Sequence, residues 1–258
     1  MDTITIVADA TPTTITITTI ITPTATIVDT TTAERGAPLP LFVWLSPAFP
    51  VGAFAYSHGL EWAVESGDIA DAPSLQGWLV DLLEFGAPRS DAILFSTAFR
   101  AAAAADWPEL MNINALAIAL AASAERRLET TAQGTAFVAA ARGAWDCEAI
   151  RRLSEAPDGR VAYSVAVAAA AGGHGLPLDA SLEAFVLAQA ANLVSAALRL
   201  GSIGQTDGQM ILAALLPRVR VLAAEAQSAS LADLGGCAFR SEIAAMRHET
   251  QYSRLFRS

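Results

Sequence analysis

Apolar residues recur every three or four positions through most of the chain, from Leu39 to the end. This is the period of an amphipathic α-helix, in which residues three and four apart share one face. The clearest stripe has the spacing i, i+4, i+7, i+11 and i+14 and consists of Val186, Ala190, Leu193, Ala197 and Leu200. This stripe predicts a long helix with one face in a hydrophobic core.

Glycine and proline residues divide the rest of this region into further helical segments. The pattern shows no alternation of strands with helices and no internal repeat, so we expect an all-α, single-domain helical bundle over residues 38–258. Asp71 is a candidate helix N-cap, and Ser230 with Asp233 resembles a capping box. The predicted helices cover approximately residues 54–66, 73–85, 90–105, a short one from 107, 115–145 as one long helix or two joined ones with Gly134 as a possible weak point, 160–171, 180–200, 210–216 with Pro217 ending or kinking the helix, 218–227 and 242–249.

Residues 1–37 have a different pattern, a low-complexity run of threonine and isoleucine. The alternation between Thr14 and Thr18 has the period of a strand. Because nothing obvious is available for such a strand to pair with, we expect a disordered tail without an assigned function.

Composition narrows the class of protein. Of 258 residues, 53% are hydrophobic and 16% are charged, so a large core is available and most acidic residues are expected on solvated helix faces. The net charge of −10 argues against nucleic-acid binding, which needs a basic surface for phosphates. All 16 basic residues are arginine.

The chain is expected to be a cytoplasmic protein without a membrane span. The uncharged stretches 10–28 and 161–178 are interrupted by threonine, proline or glycine, so neither offers the roughly 20 apolar residues of a span. No signal peptide is visible, and the two cysteines, Cys147 and Cys237, form no disulfide framework.

Two fragments imitate enzyme motifs. Ala55-Tyr56-Ser57-His58-Gly59 resembles the G-x-S-x-G nucleophile elbow, but alanine replaces the first glycine and no sheet is predicted around it. His248-Glu249-Thr250-Gln251-Tyr252 resembles the zinc motif H-E-x-x-H, but Tyr252 replaces the second histidine. There is no phosphate-binding loop and no cysteine–histidine cluster with metal-ligand spacing. We therefore expect no catalytic residue, no metal ligand and no tightly bound cofactor; a serine hydrolase using Ser57 stays as an alternative.

Three segments do not fit a plain bundle. The front motif, residues 44–61, is rich in aromatic and turn residues and contains Phe54, Tyr56, Ser57 and Glu61. A later segment, residues 199–209, places Gln205, Asp207 and Gln209 in an apolar helical region. These polar side chains are candidates for a polar interior that fixes the bundle geometry, for a wet passage, or for a partner contact.

The third unusual segment is the C-terminal segment, residues 247–258. It combines aromatic and aliphatic side chains with three arginines, a composition typical of protein-interface hot spots. We expect it to dock on its own bundle or, preferably, on a partner. The candidate partner-binding residues are Arg247, His248, Glu249, Tyr252, Arg254, Leu255, Phe256 and Arg257.

The three segments together, in this order, resemble the UreF family of urease accessory proteins. The matching stretches are SPAFPVGAFAYSHGLE, RLGSIGQTDGQ and MRHETQYSRLFRS, and the resemblance covers residues 40–258. Ala55 departs from the serine that many relatives carry. Residues 1–37 lie outside the resemblance.

The resemblance implies an all-α, dimeric, non-catalytic scaffold that joins the accessory protein UreD (also called UreH) and the GTPase UreG to apo-urease. In such a complex UreG binds the GTP, and nickel is handled by the assembly rather than stored in this chain. The resemblance also implies that the C-terminal segment becomes ordered on UreD and that Arg254 supports recruitment of UreG. A generic helical adaptor unrelated to nickel is a further alternative.

Overall fold

The computed structural model describes residues 38–258, and within that range the regular structure is entirely helical. The expectations for the tail, residues 1–37, lie outside the described residues. The eleven α-helices of the described part are α1 Leu39–Trp44, α2 Leu60–Glu65, α3 Ala72–Phe85, α4 Ala87–Ala103, α5 Trp107–Ala119, α6 Ala124–Ala144, α7 Glu148–Ser154, α8 Tyr163–Gly173, α9 Leu178–Leu200, α10 Gln205–Ser228 and α11 Phe239–His248. Short 3₁₀ turns occur at Ala53–Ala55, Pro157–Gly159 and Leu231–Asp233. The all-α prediction is confirmed.

Helix α8 is the centre of the bundle. Every residue from Ser164 to Gly172 is buried, and α8 packs against α4, α6 and α7. Its composition explains this position, because alanine and glycine allow neighbouring backbones to approach closely. A Cβ on Gly172 would lie 2.6 Å from the carbonyl oxygen of Phe99 on α4, so this glycine is needed for close packing rather than only for ending the helix.

Helices α9 and α10 pack along each other and are joined by a turn at Gly201, where φ is +75°. The predicted stripe on α9 is in the core from Val186 to Ala197, and Leu200 is half-buried at the helix end. Helix α10 continues through Pro217 as one element, which corrects the prediction of two helices separated at this proline.

Of the two alternatives for residues 115–145, one long helix or two joined ones, the structure has two helices, the end of α5 and α6. The chain turns between Leu120 and Ser123, and the Ser123 side chain accepts a hydrogen bond from the N–H of Arg126, which caps α6. Gly134, the predicted weak point, lies inside α6, where a Cβ would lie 2.0 Å from the carbonyl oxygen of Val161. The glycine is therefore a close-packing site and not a break.

Several capping signals behave as the sequence predicts. Asp71 caps α3 by accepting from the N–H of Ser74, and Ser230 with Asp233 forms the predicted capping box. The predicted front helix, by contrast, begins at Leu60 rather than at residue 54. The preceding residues form a 3₁₀ turn followed by a loop in which His58 and Gly59 both have positive φ.

One helix in the described part of the chain, α9, is long and apolar enough to be a candidate membrane span by length and composition. Half of its apolar window is buried inside the bundle. This burial is what a core helix requires, so the helix is weak evidence for a membrane.

Candidate functional site

The C-terminal segment lies against the front motif of the same chain. His248, Phe256 and Ser258 are buried, although they belong to the last eleven residues. The main-chain N–H of Arg257 donates to the carbonyl oxygen of Ala55 at 2.8 Å. Of the two docking alternatives left by the sequence, the isolated chain adopts docking on its own bundle, and His248 and Phe256 are therefore not available on its surface.

Glu61 holds the main chain of this segment. Its Oε1 accepts from the N–H of Leu255 at 2.6 Å, and its Oε2 accepts from the N–H of Phe256 at 2.9 Å. Glu61 itself is only 8% exposed. A buried carboxylate is costly unless hydrogen bonds satisfy it, so these two N–H groups stabilise both the carboxylate and the local chain direction.

Ser57 holds the end of the segment. Both its main-chain N–H and its hydroxyl donate to the main-chain oxygen of Ser258 at 2.5 Å. The Ser57 oxygen also lies 3.4 Å from the N–H of Glu61. The side chain that resembles a nucleophile is thus fully buried and occupied by structural hydrogen bonds.

His248 joins three helices. Its Nδ1 lies 2.7 Å from Oε2 of Glu125 on α6, and its Nε2 lies 3.1 Å from Oε2 of Glu61 on α2. Because the two carboxylates face opposite ring nitrogens, they orient the imidazole and do not converge on a common metal position. Arg254 adds a positive charge to this cluster, with its guanidinium 2.8 Å from Oε1 of Glu125.

Glu129, one turn after Glu125 on α6, is the centre of a second cluster. It is 2% exposed. Its Oε1 contacts Nε2 of His58 at 2.7 Å and Nε2 of Gln133 at 2.9 Å. Its Oε2 contacts the guanidinium of Arg126 at 2.5 Å and accepts from the Ser258 hydroxyl at 3.0 Å.

The charges around Glu129 fix its protonation. Burial alone would raise the pKa of this carboxyl, but the positive charges and hydrogen bonds of Arg126 and His58 outweigh burial and lower the pKa to about 2. The group is therefore an ionised, fully paired structural carboxylate and not a general acid. Its neighbour across the cavity, Asp91, has no comparably close positive charge, and burial raises the pKa of Asp91.

A cation–π contact holds the ring of Phe256 in place. The guanidinium carbon of Arg199 lies 4.3 Å from the centroid of the Phe256 ring, and the same guanidinium donates to the carbonyl oxygen of Phe54. Burial lowers the pKa of Arg199, which still remains charged at neutral pH. Tyr56 is buried beside this contact, and burial raises its pKa, whereas the Phe54 ring is 68% exposed.

The docked segment presents an outward face. Tyr252 is fully exposed and Leu255 is 64% exposed, and Arg254 and Arg257 also lie at the surface. Arg247 and Glu249 are exposed at the end of α11, where Oε1 of Glu249 accepts from the N–H of Ala124. The buried side of the segment therefore fixes it to the bundle, and its exposed side is free to contact a partner.

Gln205, Asp207 and Gln209 do not join this site. Gln205 and Gln209 are exposed and Asp207 is half-buried in the first turn of α10, where Asp207 accepts from the N–H of Gly204. The prediction that they form a polar interior is wrong for the isolated chain, because the interruption in the apolar pattern is a helix start at the surface. A role in a passage or partner contact stays a prediction.

Neither enzyme-like fragment builds an active site. The Ser57 hydroxyl has no histidine among its hydrogen-bond partners; His58 and His248 are paired with glutamates instead. Among residues 38–258 no group of three or more His, Cys, Asp or Glu side chains has a metal-binding arrangement.

The sequence did not identify Glu125, Glu129, Arg126 or Arg199 as site residues. Acidic residues on helices were expected on solvated faces, and for the two glutamates this expectation is wrong. A signal was present, since Glu125, Glu129 and Gln133 recur every four residues and so form a polar stripe on one face of α6.

Comparisons with known proteins agree with this architecture. Residues 69–216 match the family model described as UreF. A protein of Xanthobacter autotrophicus named urease accessory protein UreF is 57% identical over 229 residues, which are 88% of this chain and 94% of the relative. Proteins of the same name from Rhodopseudomonas palustris (strain BisB5) and Azorhizobium caulinodans are each 52% identical over 88% of this chain, covering 93% and 100% of the relatives.

Proposed function

This chain belongs to the UreF family, and we propose that it works as a urease accessory protein without catalytic activity of its own. Support comes from relatives that are 50–57% identical and are named urease accessory protein UreF. The burial of the Ser57 hydroxyl supports the same view, since a nucleophile must reach its substrate.

We further propose that the chain acts in the cytoplasm as a dimeric scaffold between UreD (or UreH), the GTPase UreG and apo-urease. Nickel would be the cargo of the assembly, and GTP would be bound by UreG. This chain would contribute surfaces, because the buried carboxylates of the site, Glu61, Glu125 and Glu129, are already paired with histidine or arginine side chains.

The outward face of the docked C-terminal segment carries this proposal. The main chain around these residues is held by contacts of Glu61 with Leu255, of Ser57 with Ser258 and of Arg199 with Phe256, so less main-chain entropy is lost on binding. The residues proposed to contact the partner are Tyr252, Arg254 and Leu255.

The proposal is tested by substituting exposed residues that stabilise the fold little. Leu255→Ala is expected to reduce co-purification with UreD at least about tenfold, the loss of a hot-spot side chain, while the melting temperature stays nearly unchanged. The matched control is Leu39→Ala on α1, whose leucine is similarly exposed at 68% but lies on another element. Equal capture of UreD by both variants would contradict the proposed surface.

Arg254 is tested separately. Arg254→Ala is expected to weaken capture of UreG by the complex with UreD, while binding of UreD itself persists. Arg160→Ala is the control, because Arg160 is also an exposed arginine paired with one acidic residue, Asp158. Undiminished recruitment of UreG by the Arg254 variant would count against this role.

Complete deletion of residues 247–258 is a poor test. It removes the buried side chains of His248 and Phe256 and leaves Glu61 and Glu125 without their partners, so loss of binding would be confused with loss of fold. The hydrolase alternative has its own test: the purified chain is expected to show no turnover of activated esters, with or without Ser57→Ala. A generic adaptor would bind neither UreD nor UreG.

A further inference from the structure

Two cavities lie on opposite sides of one polar wall. The first, of about 200 Å³, lies between the front motif, α6 and α9. The second, of about 280 Å³, lies between α4, the turn before α6 and α11. Both are lined by the same four residues, His58, Asp91, Arg126 and Thr130.

The His58 part of this wall is conformationally strained. His58 has a φ of +56°, a left-handed conformation that residues other than glycine adopt at a cost in free energy. The next residue, Gly59, is pressed against α11, where a Cβ would lie 2.5 Å from the main-chain nitrogen of Ala245. A strained residue persists only when its surroundings hold it in place.

The C-terminal segment holds both the main chain before His58 and the His58 side chain in place. The main chain before His58 is fixed because Ser57 donates to the oxygen of Ser258 and Ala55 accepts from the N–H of Arg257. The imidazole of His58 is fixed because it contacts Glu129, the carboxylate that also accepts from the Ser258 hydroxyl. Glu129 also holds Arg126, another residue of the wall, through the same carboxylate.

We propose that docking of residues 255–258 keeps His58 in place as a closed wall between the two cavities, and that release of these residues opens it. When Ser258 leaves, the loop loses its main-chain anchor and Glu129 loses one of its four partners. The left-handed conformation of His58 is then no longer compensated, and the side chain leaves the wall.

The test uses the full chain and the chemical reactivity of its three histidines, His58, His174 and His248. Diethyl pyrocarbonate modifies imidazole nitrogens that are free, and mass spectrometry measures the rate at each site. In the parent chain His58 is expected to react slowly, since its Nε2 is engaged by Glu129. His174, which is bonded to the carbonyl oxygen of Trp145 far from the segment in sequence, is the internal reference.

Ser258→Ala is expected to raise the rate at His58 about fivefold relative to His174, the effect of losing one buried hydrogen bond. Adding Arg257→Pro, which removes the N–H that donates to Ala55, is expected to raise it further. Ser253→Ala changes an exposed serine in the same segment and is expected to leave the rate as in the parent.

Circular dichroism must show unchanged helicity in all variants. A His58 rate within about twofold of the parent in the double variant would overturn the proposal, because hydrogen bonds of ordinary strength would then not be holding the wall. An equal increase in the Ser253 variant would overturn it as well. In a crystal structure of the double variant we expect His58 away from Glu129 and one continuous cavity; a closed wall in that structure would refute the mechanism.

Discussion

Glu61 accepts a hydrogen bond from the main-chain N–H of Phe256 at 2.9 Å, although the two residues are separated by 195 positions in the chain. At Leu255 and Phe256 the carboxylate binds main-chain N–H groups rather than side chains, so at these two positions it selects a chain direction and not a residue type. This contact converts the final residues, whose sequence suggests a free binding arm, into a fixed part of the bundle.

Substitution of Glu61 tests this contact. Glu61→Gln keeps the shape but places a donor amide among N–H groups, so we expect a loss of about 2–4 kcal/mol in the free energy of unfolding. Hydrogen exchange should accelerate at the amides of Leu255 and Phe256. Glu155→Gln, at an exposed position, is the control and should change neither quantity. Unaltered exchange in the Glu61 variant would show that the segment is held by other contacts.

The ionised state of Glu129 predicts an acid-dependent stability. Its pKa is lowered from 4.5 to about 2 on folding, so its contribution is complete above pH about 4.5 and is lost as the pH falls through about 2. The contribution is on the order of 3 kcal/mol. Urea denaturation between pH 2 and 7 should show a shallower decline below pH 4.5 for Glu129→Gln than for the parent chain.

The Glu129 variant should also be less stable at neutral pH, because Arg126 then loses its buried counter-charge and His58 loses a carboxylate partner. A parallel pH profile for the variant and the parent would mean that Glu129 has an ordinary pKa in the folded protein.

Gly59 and Gly67, on either side of α2, both have a left-handed conformation. Comparing them distinguishes the cost of backbone strain from the cost of steric contact. Gly59 has a φ of +78° and would place a Cβ 2.5 Å from the nitrogen of Ala245, whereas Gly67 has a φ of +81° and open space. Gly67→Ala is expected to cost about 1 kcal/mol through backbone strain alone. Gly59→Ala is expected to cost about 2–4 kcal/mol because α11 must also shift. Thermal unfolding measures both; equal costs would mean that α11 moves away freely.

Two glycines within α6 provide a second matched pair. Gly143 is exposed with open space, so Gly143→Ala should stabilise the protein by up to about 1 kcal/mol through helix propensity. Gly134→Ala should destabilise it by at least about 2 kcal/mol, because the Cβ would lie 2.0 Å from the carbonyl oxygen of Val161. Opposite signs in chemical denaturation are the expected result. Stabilisation by both substitutions would contradict the close approach of α6 to the chain before α8.

The sequence by itself determined the helical class, the core stripe of α9 and two capping motifs, because these depend on the spacing of neighbouring residues. It also singled out the front motif and the C-terminal segment as unusual. Of its interpretations of the start of α10, the polar interior is wrong for the isolated chain, since a polar interruption of an apolar helix has the same pattern whether it is buried or begins a new element.

Only the tertiary structure decided that the C-terminal segment packs against the front motif. Glu125 and Glu129 have the pattern of a solvated helix face, and their burial depends on His248, Arg254 and Ser258 arriving from more than 120 positions away. The four-residue spacing on α6 marks a polar stripe but does not show whether the stripe is solvated or buried, because each carboxylate is stabilised by groups that are distant in the chain. The packing of Gly59 beneath Ala245 is likewise decided by the meeting of two helices rather than by local preference.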